Sequence, residues 1–273
     1  MRRSGPFTLV LVIASVLVAA AQQPSVLPMG PARERGASIT PAFEGWYKND
    51  DGSFTLLIGY YNRNSKETLT IPIGPNNKIE PGDADQGQPT YFETGRQWGV
   101  FTIKVPKDFG SKSIRWTLVS NGETQSVPLT LNAGYPITPF KELGMNNEPP
   151  KLWFSAGGAK TLGPPTGVTG TFSGVVNQPV PITVWAEDVK ERDSKSTNVA
   201  TVSLHKHRGP GNMTVERPRI QIPKPGEMVT LNPTFSEAGE YLVRVQANDE
   251  SGEGGGGFQC CWTNTYVKVI VKN

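Results

Sequence analysis

Phe235-Ser236-Glu237-Ala238-Gly239-Glu240-Tyr241-Leu242-Val243-Arg244-Val245 is the stretch that decides the fold. From Tyr241 onward apolar residues stand at every second position, through Val243, Val245 and Ala247. A period of two is that of a strand with one face on a core and the other toward solvent. The same period returns in Val180, Ile182, Val184 and Ala186, in Val202 and Leu204, and in Val267, Val269 and Val271. Each run reads as a half-buried strand, and turn residues separate the runs. Residues 167–273 are therefore expected to form a β-sandwich.

Working toward the N-terminus, residues 39–133 repeat the pattern. Asp51-Gly52 separates two β runs, and Asn121-Gly122 separates Ile114, Trp116 and Leu118 from Val127, Leu129 and Leu131. Both dipeptides are hairpin signals, because they tolerate the positive φ of a tight turn. Residues 75–89 read as a long loop. A second sandwich is expected here. Residues 134–166 hold Tyr135-Pro136, Pro139, Pro149-Pro150 and Leu162-Gly163-Pro164-Pro165, which break regular elements. They read as a connector, with Leu152-Trp153-Phe154 able to pack on one of the domains. The fold class is all-β, with two tandem sandwiches.

Glu237-Ala238-Gly239-Glu240-Tyr241, placed just before a strong strand, resembles the tyrosine corner of immunoglobulin-type sandwiches. Asn177-Gln178-Pro179-Val180-Pro181-Ile182-Thr183-Val184, the opening stretch, and Tyr266-Val267-Lys268-Val269-Ile270-Val271 resemble the B, F and G strands of bacterial PKD or immunoglobulin-like domains. Val243 stands where the second cysteine of the immunoglobulin disulfide would be. The tract from Asn248 to Asn264 is similar to that of a group of uncharacterised secreted bacterial proteins. The resemblance implies a fold and brings no activity with it.

The N-terminus has the features of an export signal. Arg2 and Arg3 precede an uncharged apolar run, residues 7–18, which leads into Ala19-Ala20-Ala21. A basic start, a short apolar core and small residues at the cut describe a secretory signal peptide over residues 1–21. Residues 22–38, rich in Pro and Gly, read as a flexible lead-in. The mature chain is expected to be secreted or periplasmic, without membrane insertion.

Composition narrows the function. The chain carries 30 Gly and 24 Pro, but also six Trp, seven Tyr and eleven Phe. Those aromatics suffice for two cores, so a turn-rich β protein fits better than disorder. The net charge of +3 is spread without a basic block, which argues against nucleic acid as a partner. No G-x-S-x-G or H-E-x-x-H motif and no phosphate-cradling loop occurs.

Several residues remain as candidates for chemistry. Cys260 and Cys261, the only cysteines, are neighbours. In an oxidising compartment they are candidates for a strained vicinal disulfide, against a thiolate metal site or two small buried residues. His205 and His207, the only histidines, stand at i and i+2 on a strand, a spacing able to chelate Zn²⁺ or Cu²⁺. Asp188, Asp249 and Glu250 lie in loops expected at one end of the sandwich, where their oxygens suit Ca²⁺. Trp98, Tyr61 and Trp262 are candidates for stacking on sugars. The leading expectation is an exported, non-enzymatic binding module with a protein or polysaccharide partner. Metal binding is the alternative, and a carboxylate-based hydrolase comes third.

Overall fold

In the computed structural model, residues 33–142, 147–188, 199–249 and 261–273 are described. The expected signal peptide, residues 1–21, and most of the expected lead-in, residues 22–38, lie outside them. From Arg33 on, the chain is one compact unit containing two hydrophobic cores. No helix occurs among the described residues, so no described helix is long and apolar enough to cross a membrane.

The first core lies between two antiparallel sheets. One has the order β1 (Ile39–Lys48), β2 (Phe54–Asn62), β6 (Gly95–Val105), and the other β4 (Asn77–Glu80), β7 (Ser113–Ser120), β8 (Glu123–Thr130). A short pair, β3 (Leu69–Thr70) with β5 (Tyr91–Phe92), completes it. The β7–β8 turn uses Asn121 at φ 49° and Gly122 at φ 77°, the pair of positive dihedrals that Asn-Gly supplies at least cost. Trp116 fills the centre, edge-to-face with Phe101 at 5.1 Å and stacked on Phe92 at 6.4 Å. Its indole N–H donates to Asn77 Oδ1 at 3.0 Å. The Asn77 amide in turn donates to the carbonyls of Ile71 and Pro89. A buried Trp needs that partner, and the partner fixes the path of the chain on either side. Residues 75–89 are thus not all loop: β4 pairs with β7 and turns Asn77 and Ile79 inward.

The second core lies between a five-stranded sheet and a three-stranded one. The larger has the order β10 (Val168–Val175), β18 (Trp262–Lys272), β17 (Gly239–Asn248), β12 (Ala200–Arg208), β14 (Arg219–Ile222). The smaller runs β15 (Met228–Leu231), β11 (Ile182–Glu187), β9 (Lys151–Trp153), so the connector contributes a strand. β13 (Met213–Val215) and β16 (Pro233–Phe235) pair at one side. β10 runs parallel to β18 while all other pairs are antiparallel. This is the immunoglobulin-type arrangement, and its tyrosine corner is present: Tyr241 Oη donates to Glu237 O at 2.8 Å. Val202, Leu204, Val243, Val245, Val267 and Val269 meet in the core.

Candidate functional site: the seam between the sandwiches

The alternation of β12, β17 and β18 sends Val243, Val245, Val267 and Val269 into the second core. The intervening residues point the other way: Ser203 and His205 on β12, Arg244 and Gln246 on β17, and Trp262, Asn264 and Tyr266 on β18. This polar face is not solvated. It lies against β6 and the chain before it, and nearly all of it is buried.

Two irregularities in the first sandwich shape the other side of the seam. The β1–β2 register slips between Phe43 and Gly45, leaving Glu44 as an extra residue. The β2–β6 register slips beside Gly59, so that Trp98, Gly99 and Val100 arch out of β6. Bulges of this kind re-aim side chains. Here the Glu44 carboxylate, 1% exposed, accepts from Gly99 N at 2.8 Å and from the Arg96 guanidinium at 2.7 Å. Burial pushes this carboxyl up to about 7, against the opposing pull of Arg96, the Gly99 N–H and Arg244. Gly99 has φ 53° and lies under the Trp262 ring, where a Cβ would overlap the ring atoms. A residue with no side chain and free access to positive φ is required there.

Direct bonds close the seam. Asn264 Nδ2 donates to Trp98 O at 3.2 Å and Gly99 O at 3.0 Å, and Tyr266 Oη donates to Val100 O at 2.5 Å. The Arg244 guanidinium donates to Asn264 Oδ1 at 3.0 Å and crosses to Gln97 Oε1 at 2.6 Å. Farther along, Arg208 grips Asp85 through both terminal nitrogens, at 2.6 and 2.7 Å, and donates to Gln88 O. Thr102 Oγ1 donates to Pro165 O at 2.7 Å. Charged partners in bidentate geometry are the strong members of such a set.

The histidines belong to this seam. His205 Nδ1 stands 2.6 Å from Glu93 Oε2, and its Nε2 stands 3.0 Å from Ser203 Oγ. The Glu93 carboxyl is held below its ordinary value: burial would raise it, but His205, Arg244 and the Lys206 N–H outweigh burial. Hydroxyl, imidazole and carboxylate thus follow the order of an acyl-transfer triad. Ser203 is only 6% exposed and sits in mid-strand, not on an exposed turn, so the three act as a joint between β12 and the residue that follows β5. A register slip between Lys206 and Arg208 displaces His207. Its Nε2–H donates to Gly87 O at 2.9 Å, its ring lies 4.7 Å from that of Tyr266, and burial drives its basicity down to about 3.

The other candidates fall in different places. Trp262 is 1% exposed and offers no open face for stacking. Trp98 is half-buried with the Arg96 guanidinium 3.9 Å above its ring. Tyr61 is 40% exposed, with Arg63 at 5.9 Å. Asp249 is buried and accepts from Asn147 Nδ2 at 2.5 Å, while Asp188 lines a separate cleft with Glu148, Pro149, Lys151, Glu187 and Pro225. Glu250 and Cys260 lie outside the described residues. Among the described residues no cluster of three or more His, Cys, Asp and Glu side chains is arranged to hold a metal ion. Cys261 is buried with φ 79° and is not a free thiol.

Glu44, Gln97, Gly99 and Arg244 carry the seam, yet none was a candidate from the sequence. The one available signal was an Arg at an outward position between Val243 and Val245 in a strong strand.

No protein-family model matches the chain, and no curated protein matches it. Among solved structures, it is similar to S-layer protein SbsC domains 4 and 5 at 12% identity, over 87% of this chain and 98% of that one, with a TM-score of 0.26. It is similar to the D00-D0 domain of Intimin at 11% identity, over 86% and 100%, with a TM-score of 0.28. The Yersinia pseudotuberculosis adhesin InvE shows 11% identity over 86% of this chain and 58% of that one, with a TM-score of 0.25. At these scores no functional statement rests on the likeness.

Proposed function

We propose that this chain is an exported, rigid two-sandwich module that acts by binding a protein or polysaccharide at the cell envelope or outside the cell. One observation carries the reading: the residues with chemical potential are committed to the seam. His205, His207, Glu93, Arg244 and Trp262 hold the two sandwiches together, and Glu44 fixes Arg96 and Gly99 on the first sandwich's side of the seam. A protein that invests its buried polar groups in a fixed joint gains a fixed spacing between its outer surfaces, which suits a scaffold or adhesin. Export is supported by the basic start, apolar run and Ala19-Ala20-Ala21 of the N-terminus.

The test has two parts. The protein recovered from its native host is expected outside the cytoplasm with Gln22 at its N-terminus; an uncleaved cytoplasmic chain would remove the export reading. The purified mature chain is then melted with envelope polysaccharides, with Ca²⁺, Zn²⁺ and Cu²⁺, and with chelator. A ligand of the folded state raises the midpoint by mass action. A polysaccharide-specific rise supports the binding reading, and a rise with a metal alone replaces it with the metal alternative. Non-reducing mass analysis of the mature chain decides among the readings of Cys260 and Cys261: a chain lighter by two hydrogens carries the vicinal disulfide, and one of full thiol mass does not.

A further inference from the structure

The edges of the sheets are not alike. β14 is four residues long, with Arg219 in it, Arg217 before it and Lys224 after it. β8 carries Glu123 and Pro128. The outer side of β1 is occupied, since Trp46 N donates to Tyr135 O and Ile137 N donates to Trp46 O. β6 carries Arg96 and Lys104. β9 and β15 are three and four residues long. Short length, charge, proline and cover are the usual devices that stop an edge from pairing with another chain.

β10 has none of them. Its eight residues, Val168-Thr169-Gly170-Thr171-Phe172-Ser173-Gly174-Val175, include no charge and no proline. Among the described residues its only strand partner is β18. Val176 N–H is turned inward to Lys272 O. By the alternation of a strand, the N–H and C=O of Thr171 and Ser173 point away from the sheet. Inward, Phe172 meets Phe154, and Val180 packs over Gly174. Outward, Val168 is 49% exposed, Val175 47% and, beside Ser173 on β18, Ile270 37%.

We propose that β10 is a docking edge for the β10 of a second copy of this chain, paired antiparallel about a two-fold axis at Ser173. A bare backbone edge is matched by another backbone edge. An uncharged strand with its own copy has no like charges to bring together, whereas β14 or β6 would set cation against cation. With the axis at Ser173, the two Ser173 residues exchange both backbone hydrogen bonds. Thr171 then faces the partner's Val175, and Phe172 lies across from the partner's Gly174. The five-stranded sheets join into one of ten strands, with the exposed Val175 and Ile270 side chains gathered on one face. Such an isologous contact closes at two copies. It is small, so the dimer is weak and concentration-dependent. It stands independently of export and of the binding reading, since it concerns the purified chain alone.

The experiment is sedimentation or light-scattering mass of the mature chain up to about 0.1 mM, with Ser173→Lys and Ser173→Cys alongside. The native chain is expected to move from monomer to dimer as concentration rises. Ser173→Lys, which places two ammonium groups across the axis, is expected to stay monomeric with its melting midpoint unchanged. Ser173→Cys is expected to give a dimer on a non-reducing gel after oxidation, because a hydrogen-bonded antiparallel pair sets the two Cα atoms about 5.5 Å apart, within disulfide reach. A native chain that remains monomeric throughout, or a Ser173→Lys chain that dimerises as the native one does, overturns the proposal.

Discussion

Where it meets the first sandwich, the β12–β17–β18 sheet hides both its faces from water, yet they are built from opposite materials. One face is Val202, Leu204, Val243, Val245, Ala247, Val267 and Val269, closed by packing. The other is His205, Arg244, Asn264 and Tyr266, closed by hydrogen bonds to the first sandwich, with Gln246 buried among them. The apolar face gains from burial of each side chain, about 1.5–3 kcal/mol apiece. The polar face gains little net energy per bond, but it is costly to break, because an orphaned buried group loses both water and partner. The apolar face makes the sandwich stable. The polar face determines where the other sandwich sits.

Breaking the polar face is expected to have the largest effects. Gly99→Val puts a branched side chain at φ 53° into the Trp262 ring and is expected to cost about 4 kcal/mol in denaturant unfolding. Arg244→Ala removes the bond to Gln97 and leaves Asn264 Oδ1 without its donor; about 3 kcal/mol is expected. On the apolar face Val245→Ala is expected to cost about 2 kcal/mol, and an equal or larger loss there than at Arg244 would reverse the comparison.

The pH dependence sharpens the contrast, since Glu44 and His207 both titrate at the polar seam. The folded Glu44 carboxyl lies near 7, against 4.5 in the unfolded chain. Its contribution is therefore full below about pH 4.5 and is lost as pH rises through about 7. Glu44→Gln is expected to gain on the native chain over that window, by up to about 3 kcal/mol. His207 acts in the opposite sense. Its folded value near 3 against 6.5 unfolded means that stability is lost as pH falls from 6.5 toward 3, and His207→Gln is expected to remove that loss. Stability curves of the three proteins between pH 3 and 8 measure both. The smallest effect is expected at Gln246, whose buried amide has no hydrogen-bond partner among the described residues for either atom. Gln246→Met removes two unpaired polar atoms and is expected to be neutral or mildly stabilising, where the same change at Asn264 would not be.

How much of this was legible in the sequence follows from the period of two. The tyrosine corner, the Asn121-Gly122 hairpin and the valine runs of β17 and β18 could be read directly, because local pattern and final environment agree there. β10 could not. Its inward positions are Gly170, Phe172 and Gly174, and Phe154 and Val180 supply the apolar cover from elsewhere, so no alternation shows. β4 was hidden in the same way, since one of its inward residues is Asn77. The seam was misread for a different reason. A polar outward face looks solvated, and nothing local in Arg244 or His205 says that a second sandwich, reached through the chain folding back from residues 85–102, will cover it. The bulge at Glu44 and the arch at Gly99 are properties of strand pairing, which a single strand does not encode.

The central claim is that the polar seam makes one cooperative body from two cores. Scanning calorimetry of the mature native chain tests it most directly. A single transition, with calorimetric and van't Hoff enthalpies equal, is the expected result, with Gly99→Val dividing it into two. Two separable transitions in the native chain, one for each core, would contradict the account.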